Sequence, residues 1–452
     1  MDAPTPPPLS ASEPRFVTGS TMRHVVVMTL TASVGLMAVF VVDLLSLLYV
    51  SRLGDPRLTA AVGLSTIVLF IGISINVGLM IAVAALVSRA LGRGDRALAR
   101  RLAASSLVIM AIFAGLVVAV IWPLLPRALA LIGADDETRA IAARFIAITL
   151  PSNVLMALGM GLSGVLRAVG DAKRAMYVTL AGGIVTAGLD PLLIFGLGLG
   201  VDGAAVATVI SRMVFAWVGW HGAVRVHDLV ARPRWADVVA DARPMLAIAL
   251  PAVLTNIATP VASAFVAGVI ARFGDTAIAG NAIVDRLTPV AFGGLFALSG
   301  AVGPILGQNW GALRFDRMRQ ALRDAVVFTA IYVGIVWAVL AAGSGMIVAL
   351  FDARGLAAEL VTFFCWVSGP MWFFIGLLFV ANAAFNNLGS PFLSTAFNWG
   401  RATLGTVPFA YLGAAWAGPV GALAGVALGS VLFGIAGILT AFWTLRRLER
   451  AA

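Results

Sequence analysis

Two aspartates lie inside long apolar stretches of this 452-residue sequence. Asp43 follows an uncharged run over 25–42, and Asp190 lies within the apolar segment 176–197. A charge in the middle of a bilayer costs about 2.5–3.5 kcal/mol on insertion scales, so an ionisable residue there indicates a function. Apolar surroundings favour the protonated form of a carboxylate, so such a group can take up and release a cation. The two positions therefore predict a binding site for H⁺ or Na⁺.

Neighbouring residues extend this predicted site. Thr186 precedes Asp190 by one helical turn and lies on the same face. With a rise of 1.5 Å per residue, both aspartates are roughly 10–12 Å below the outer ends of their helices, and Thr208 reaches nearly that depth. Pro191 predicts a local break in the helix beside Asp190. The alternative is structural, with either aspartate capping a kink or pairing with a buried arginine.

Further polar residues of the apolar segments are candidates for a substrate cleft. Asp285 and Arg286 are adjacent and point about 100° apart on a helix, so they do not pair with each other. Either one is expected to pair across the cleft, for example with Arg401, or to contact the substrate. Asn153 and Asn382 complete the set of cleft candidates, and a last buried cation, Arg212, is expected to bond a carbonyl or a carboxylate.

Composition places all these residues in a membrane protein. Hydrophobic residues make up 61% of the chain and charged residues 12%, about half the charged share of a soluble domain. Apolar runs of about 20 residues are long enough to cross the hydrocarbon core as helices. The net charge of +10 is explained by basic loops on the cytoplasmic side, so no nucleic-acid partner is expected.

The sequence has no motif that indicates an enzyme or a cofactor-binding protein. The three histidines show no metal-ligand spacing, so no metal site is predicted beyond possible Na⁺ at the two aspartates. The motif GLGVDG over 198–203 lacks the preceding strand that a dinucleotide site requires, and no Walker motif is present. We expect no cofactor and no enzymatic activity.

Turn and charge signals divide the chain into twelve spans. With the N-terminus inside, 21 of the 31 basic residues lie in cytoplasmic segments and seven lie in outer ones, which predicts that both termini are cytoplasmic. Only one basic residue is a lysine, as is typical of GC-rich bacterial genomes, and we expect the bacterial inner membrane. The predicted spans are 24–51, 58–88, 102–123, 139–166, 176–197, 203–224, 245–271, 277–306, 321–344, 357–386, 391–413 and 418–445.

The second half of the sequence repeats the first. RLGDPRLTAA over 52–61 returns as RFGDTAIAGN over 272–281, and LGRGDR over 91–96 returns as WGALRF over 310–315. Five such matches recur at offsets of 218 to 220 residues, which indicates an internal duplication. Because each half has an even number of spans, the halves are parallel repeats facing each other across a cleft. At the positions equivalent to Asp43 and Asp190 the second half has Ser263 and Phe409, so the acidic site is confined to the first half.

The predicted fold is all-α: twelve transmembrane helices in two pseudo-symmetric six-helix bundles around a central cleft. A first lobe over 24–224 and a second lobe over 245–446 are joined by a cytoplasmic linker, 225–244. Residues 1–23 are predicted to be a disordered cytosolic tail, and 447–452 form a second cytosolic tail.

The sequence resembles the MATE family of multidrug and toxic-compound extrusion transporters over nearly its whole length. The resemblance implies cation-coupled antiport of organic, often cationic, compounds out of the cell by alternating access, and the DinF-like branch is the most similar. The motifs that carry it are VSRLGDPRLTAAVGLS, LGRGDRALARR, LRAVGDAKRAM followed by LDPLLIFGLGLGVDGAAVAT, and GQNWGALRFDRMRQAL.

The resemblance also assigns roles to residues. In the DinF-like branch, acids of the first and fifth spans carry the coupling, and these match Asp43 and Asp190. The threonine of the sixth span matches Thr208. The resemblance thus implies cation coupling in the first lobe, by H⁺ or by Na⁺.

Some positions depart from the pattern of the branch. The asparagine that often precedes the second acid by one turn is Thr186 here, and the asparagine of the fourth span is Ser163, although its repeat mate Asn382 keeps the amide. Thr186 and Ser163 are nevertheless expected to belong to the cation-coupling site. The first span lacks a proline, and the second-half acids of the NorM-like branch are missing. The missing proline argues against bending of the first span at a proline kink, and the missing acids argue against a Na⁺ site in the second lobe.

Two other functions remain open. A flippase for lipid-linked precursors belongs to the same superfamily, but its cleft should carry several basic residues, and only Arg286 and Arg401 qualify. A membrane prenyltransferase needs paired aspartate clusters, and the one close pair, Asp135 and Asp136, lies in a loop. Small organic molecules and the bilayer are the expected partners of a protein that acts as a monomer.

Overall fold

The computed structural model describes residues 14–131 and 135–451, and within these ranges the chain is helical. Fourteen α-helices follow one another, joined by short turns and by single 3₁₀ or π turns. They are α1 Thr21–Ser51, α2 Pro56–Gly92, α3 Arg96–Leu131, α4 Asp136–Thr149, α5 Asn153–Val169, α6 Ala172–Pro191, α7 Gly200–Trp220, α8 Trp235–Ala271, α9 Asp275–Gly311, α10 Phe315–Leu350, α11 Leu356–Phe363, α12 Gly369–Asn387, α13 Pro391–Ala402 and α14 Val407–Ala451.

The helices make twelve membrane crossings. Eleven helical stretches in the described ranges are long and apolar enough to cross a bilayer. The last stretch, Pro391–Ala451, contains two crossings, because Ala417 and Gly418 have non-helical backbone angles that break α14. Large apolar side chains such as Trp416, 90% exposed, cover the outside of the bundle, as lipid contact requires. The predicted all-α membrane fold is confirmed.

The repeated motif RLGDPR/RFGDTA forms the turn after the first helix of each half. Gly54 and Gly274 both have positive φ, 82° and 92°, a conformation that residues with a side chain rarely adopt. Asp55 then caps α2 by accepting a hydrogen bond from the backbone N–H of Arg57 (2.9 Å). Both turns lie at the end of the bundle opposite the chain termini, here called the opposite face. The end with the termini is called the terminal face.

The two halves meet in direct backbone contact at the terminal face. A Cβ on Gly92 would lie 2.0 Å from the carbonyl oxygen of Gln308, and one on Gly311 would lie 2.2 Å from that of Arg89. Gly92 and Gly311 are equivalent in the repeat, so α2 and α9 cross symmetrically at this point. Only glycine permits such an approach.

Polar contacts reinforce this crossing. The Arg89 guanidinium donates to the carbonyl oxygens of Asn386 and Asn387, both at 3.1 Å, and packs on the ring of Trp310 at 4.1 Å. The Gln308 amide donates to the carbonyl of Ala168 in the other half at 2.6 Å. The terminal face is therefore closed by contacts between the halves.

The predicted disordered tail, 1–23, is wrong for its described part, because residues 14–23 are folded against the terminal face. Phe16 is 1% exposed, and its N–H donates to the side-chain oxygen of Gln308 at 2.8 Å. Arg317 donates to the carbonyl of Phe16 at 2.9 Å. One buried aromatic anchors the segment despite its polar composition, while residues 1–13 lie outside the described ranges.

The connection between the halves is shorter than the predicted linker, 225–244. Only residues 227–234 are non-helical, and the rest of the predicted linker belongs to neighbouring helices. The first turns of α8 bury Val238, and Asp241 pairs with Arg101 of α3 at 2.9 Å. The second part of the predicted linker thus begins a helix that packs on the first half.

Candidate functional site

Asp190 lies in the last turn of α6, and its carboxyl group is buried, with 1% of the residue exposed. Ser46 of α1 donates a hydrogen bond to its Oδ2. Its Oδ1 is buried without a hydrogen-bond partner among the described residues. The α-helix ends at Pro191 and continues as a π turn over Leu192–Gly196, in agreement with the predicted break. The bare oxygen is available to a proton or a small cation.

Asp43 lies on α1, three residues before Ser46, and is exposed. Residues three apart on a helix are neighbours on its surface, so Asp43 is close to the face of α1 that contacts Asp190. The two aspartates thus belong to two packed helices of the first lobe. Ser46, rather than Asp43, makes the contact with Asp190.

Three hydroxyl residues belong to the predicted coupling site, and the structure gives the partners of two of them. Thr186 donates to the carbonyl of Gly182 at 3.1 Å, and Thr208 donates to the carbonyl of Ala204 at 3.0 Å. Each threonine therefore bonds its own helix. Ser163 is buried, and its Oγ has no hydrogen-bond partner in the described ranges.

The asparagines predicted for a cleft are buried in amide pairs. Asn153 accepts a hydrogen bond from the Nδ2 of Asn76 at 3.0 Å, which joins α5 to α2. Asn382 accepts from the Nδ2 of Asn398 at 2.8 Å, which joins α12 to α13. Arg212 donates to the carbonyl of Thr149 at 2.9 Å, which confirms the predicted carbonyl bond.

A cavity of about 400 Å³ lies inside the second lobe. Its walls come from α8, α9, α12, α13, α14 and the turn between α11 and α12, and they include both Asp285 and Arg401. Asp285 accepts a hydrogen bond from the Nδ2 of Asn281 at 3.0 Å. Arg401, 7% exposed, donates to the Oγ1 of Thr259 at 3.2 Å. The ion pair predicted as one option for these two charges does not form, while Arg286 is exposed.

Aromatic side chains form one wall of this cavity. Trp372 stacks on Phe292 with ring centroids 4.7 Å apart and an interplanar angle of 5°. Phe296 packs between Trp372, at 6.2 Å, and Phe379, at 5.3 Å. Such contacts fix the rings and present a rigid apolar surface to the cavity.

Sequence reasoning missed three partners of the charged groups, namely Ser46, Asn281 and Thr259. Two of them left a signal, because Ser46 follows Asp43 by three residues and Asn281 precedes Asp285 by four, both spacings that share a helix face. Thr259 left none, since it meets Arg401 only through the packing of α8 against α13.

Comparison with known proteins decides the family. A family model described as MatE matches this chain twice, over residues 31–192 and over 251–412. The chain belongs to the MATE family. The two matches begin 220 residues apart, in register with the sequence repeat. Members of this family are transporters, so the chain is a multi-pass membrane transporter and not an enzyme.

Two relatives are similar to this chain over most of their length. An FAD transporter of Shewanella oneidensis is 27% identical over 416 residues, which cover 90% of this chain and 92% of that protein. The multidrug export protein MepA of Staphylococcus aureus is 25% identical over 342 residues, or 74% of each chain. The structure of the Vibrio cholerae MATE transporter VcmN superposes with a TM-score of 0.89 at 24% identity, covering 96% of this chain and 98% of VcmN. This last likeness shows the shared fold.

Proposed function

We propose that this transporter exports organic, often cationic, compounds in exchange for H⁺, with Na⁺ as the other possible coupling ion. Asp190 carries the proposal, since it is a buried carboxyl group with one oxygen held by Ser46 and the other bare. A group of this kind binds a cation from one side of the membrane and releases it to the other when its surroundings change. Asp43 and Asp190 fit the coupling acids of the DinF-like branch.

Alternating access is the proposed mechanism. The terminal face is closed by Arg89, Gln308 and the crossing of Gly92 with Gly311. We assign this face to the cytoplasmic side of a bacterial inner membrane. We infer that this arrangement is the outward-facing state of a transporter that acts as a monomer. Cation binding at Asp190 would then favour release of these contacts and opening towards the cytoplasm.

Efflux from cells tests the proposal. Cells expressing the wild type, Asp43→Asn or Asp190→Asn are loaded with a fluorescent organic cation, and efflux is followed with the proton gradient intact, with it collapsed, and with Na⁺ replaced. We expect Asp190→Asn to slow efflux more than tenfold at equal membrane abundance, because the amide cannot exchange a proton. Asp202→Asn is the matched control, since Asp202 pairs with Arg144 near the opposite face.

The gradient whose loss abolishes wild-type efflux identifies the coupling ion. Normal efflux by both Asp43→Asn and Asp190→Asn would contradict the assignment of the coupling site to the first lobe.

Export of a flavin dinucleotide is a second candidate, favoured by the relative in Shewanella oneidensis that is similar over 92% of its length. It is tested by measuring flavin fluorescence in the medium of cells with and without the transporter. Unchanged extracellular flavin would exclude it.

A further inference from the structure

The second-lobe cavity contains one acid and one base that do not pair. Among its described lining residues, Asp285 is the one carboxylate and Arg401 the one cation. Asp285, an exposed residue of α9, is held by Asn281, and the buried Arg401 of α13 is held by Thr259. Opposite charges that share an apolar cavity without contact leave both charges to a ligand.

Arg401 has unused hydrogen-bonding capacity. A guanidinium carries five N–H donors, and within the described ranges the side chain makes one hydrogen bond, to Thr259. Only 7% of the residue is exposed, so solvent replaces few of the missing partners. A carboxylate or phosphate group of a ligand is the partner that guanidinium geometry matches best.

Irregular backbone adjoins the cavity at two places. The chain leaves the helical path between α13 and α14, where Thr406 donates to the carbonyl of Arg401 at 2.8 Å and fixes the end of α13. A π turn over Phe364–Ser368 forms the second place, and the buried Oγ of Ser368 has no partner among the described residues. Non-helical backbone at membrane depth is tolerated where it lines a cavity, and in transporters it accompanies ligand sites.

The aromatic wall defines the rest of the ligand. Trp372, Phe296 and Phe379 offer ring faces and edges to a flat aromatic group. The volume of about 400 Å³ is within the range of small-molecule pockets.

We propose that this cavity binds a flat aromatic compound that carries both an acidic and a basic group, with the acidic group on Arg401 and the basic group on Asp285. A purely cationic ligand would leave Arg401 unpaired, and a purely anionic one would face the carboxylate of Asp285. The proposal rests on the proposed export of small organic compounds and defines their charge pattern.

Equilibrium binding to the purified, full-length transporter tests the site. Fluorescence polarisation is measured with three dyes that share one ring system: a rhodamine with a free carboxylate, its methyl ester, which is cationic only, and fluorescein, which is anionic only. We expect the rhodamine acid to bind about tenfold more tightly than its ester, the effect of one charge-assisted hydrogen bond.

Variants of the two charged residues show which of them binds which group of the ligand. Arg401→Gln should weaken binding of the rhodamine acid about tenfold and leave the ester unchanged, while Arg401→Lys should retain part of the preference. Asp285→Asn should weaken both rhodamines and spare fluorescein. Arg354→Gln is the matched control, because Arg354 pairs with Asp352 in an exposed turn.

Equal affinity of the wild type for all three dyes would overturn the proposal even if no variant folds. An unchanged preference in correctly folded Arg401→Gln would overturn it as well. The binding assay needs no ion gradient, so Asp190→Asn should keep the dye preference while losing efflux. Failure of the coupling proposal and failure of this site are therefore distinguishable.

Discussion

The two lobes agree in their backbone and differ in their polar interior. The turns at Gly54 and Gly274 have the same conformation, and Gly92 and Gly311 make equivalent contacts across the axis that relates the lobes. Inside the lobes, Asp190 of the first is replaced by Phe409 in the second. Duplication therefore preserved the positions where backbones touch, because any side chain there prevents closure. Interior positions diverged, since a helical bundle tolerates many side chains facing a cavity.

The candidate sites of the two lobes differ in their charged groups. That of the first lobe has the acids Asp43 and Asp190, with Asp190 buried and half satisfied by Ser46. The second lobe holds an acid and a base, Asp285 and Arg401, around an aromatic cavity. At the first-lobe position equivalent to Arg401 the repeat has Gly182. In our two proposals, ion coupling belongs to the first lobe and ligand recognition to the second.

The largest effect is expected where the lobes are equivalent. Gly92→Val and Gly311→Val should each reduce efflux to background, because a branched side chain cannot fit 2.0–2.2 Å from a carbonyl oxygen and the terminal face cannot close. Efflux and membrane abundance are measured together. Gly115→Val is the control, since nothing lies within 4 Å of a Cβ at that helical glycine.

A large loss at one glycine with normal efflux at the other would show that the contact is not symmetric. The structural equivalence of the two lobes would then hold only for the turns at Gly54 and Gly274.

An intermediate effect is expected where the lobes differ. Ser46→Ala should slow efflux several-fold, because it removes the hydroxyl that binds Asp190 while leaving the carboxyl group in place. The measurement is initial efflux rate against expression level. Ser33→Ala on the same helix is the control, since Ser33 donates only to the carbonyl of Thr29. Equal rates for the two variants would argue against a role for Ser46 in positioning Asp190.

The smallest effect concerns the matched loops of the terminal face. Asp171 caps α6 by accepting from the Arg174 N–H at 3.0 Å, whereas the equivalent Ser390 makes no side-chain cap at α13. Asp171→Ala should lower the free energy of unfolding by about 1 kcal/mol. Ser390→Ala should change it by less than about 0.5 kcal/mol. Thermal unfolding of the purified transporter measures both.

The contribution of Asp171 to the stability of the folded protein also has a defined pH dependence. Burial would raise the pKa of this carboxyl group, but the hydrogen bonds from His227 and Arg174 outweigh burial and hold the pKa well below its usual range. A lowered folded-state pKa gives stability that is present above the unfolded pKa, about 3.9, and is lost as the pH falls. The difference in the free energy of unfolding between the wild type and Asp171→Ala should be constant from about pH 8 to 5 and shrink below about pH 4. A difference that grew towards low pH would contradict this arrangement.

Particular residues show how far sequence reasoning reached. Apolar runs, turn glycines and the 219-residue register located the helices and the duplication, because these depend on local composition and on spacing. The same reasoning failed at Phe16, whose burial depends on a pocket made by distant helices. It did not predict that the hydroxyls of Thr186 and Thr208 would bond the carbonyls of their own helices. Assignment of the coupling role to Asp43 and Asp190 stays a prediction.

The sequence by itself determined that this protein is a duplicated bundle of membrane-spanning helices, because hydrophobicity and period are properties of the chain alone. Only the tertiary structure decided which polar groups meet. Ser46 reaches Asp190, and Asp285 and Arg401 share a cavity without pairing, through the packing of helices far apart in sequence. Helix packing angles and breaks such as that after α13 set these distances, and no local pattern encodes them.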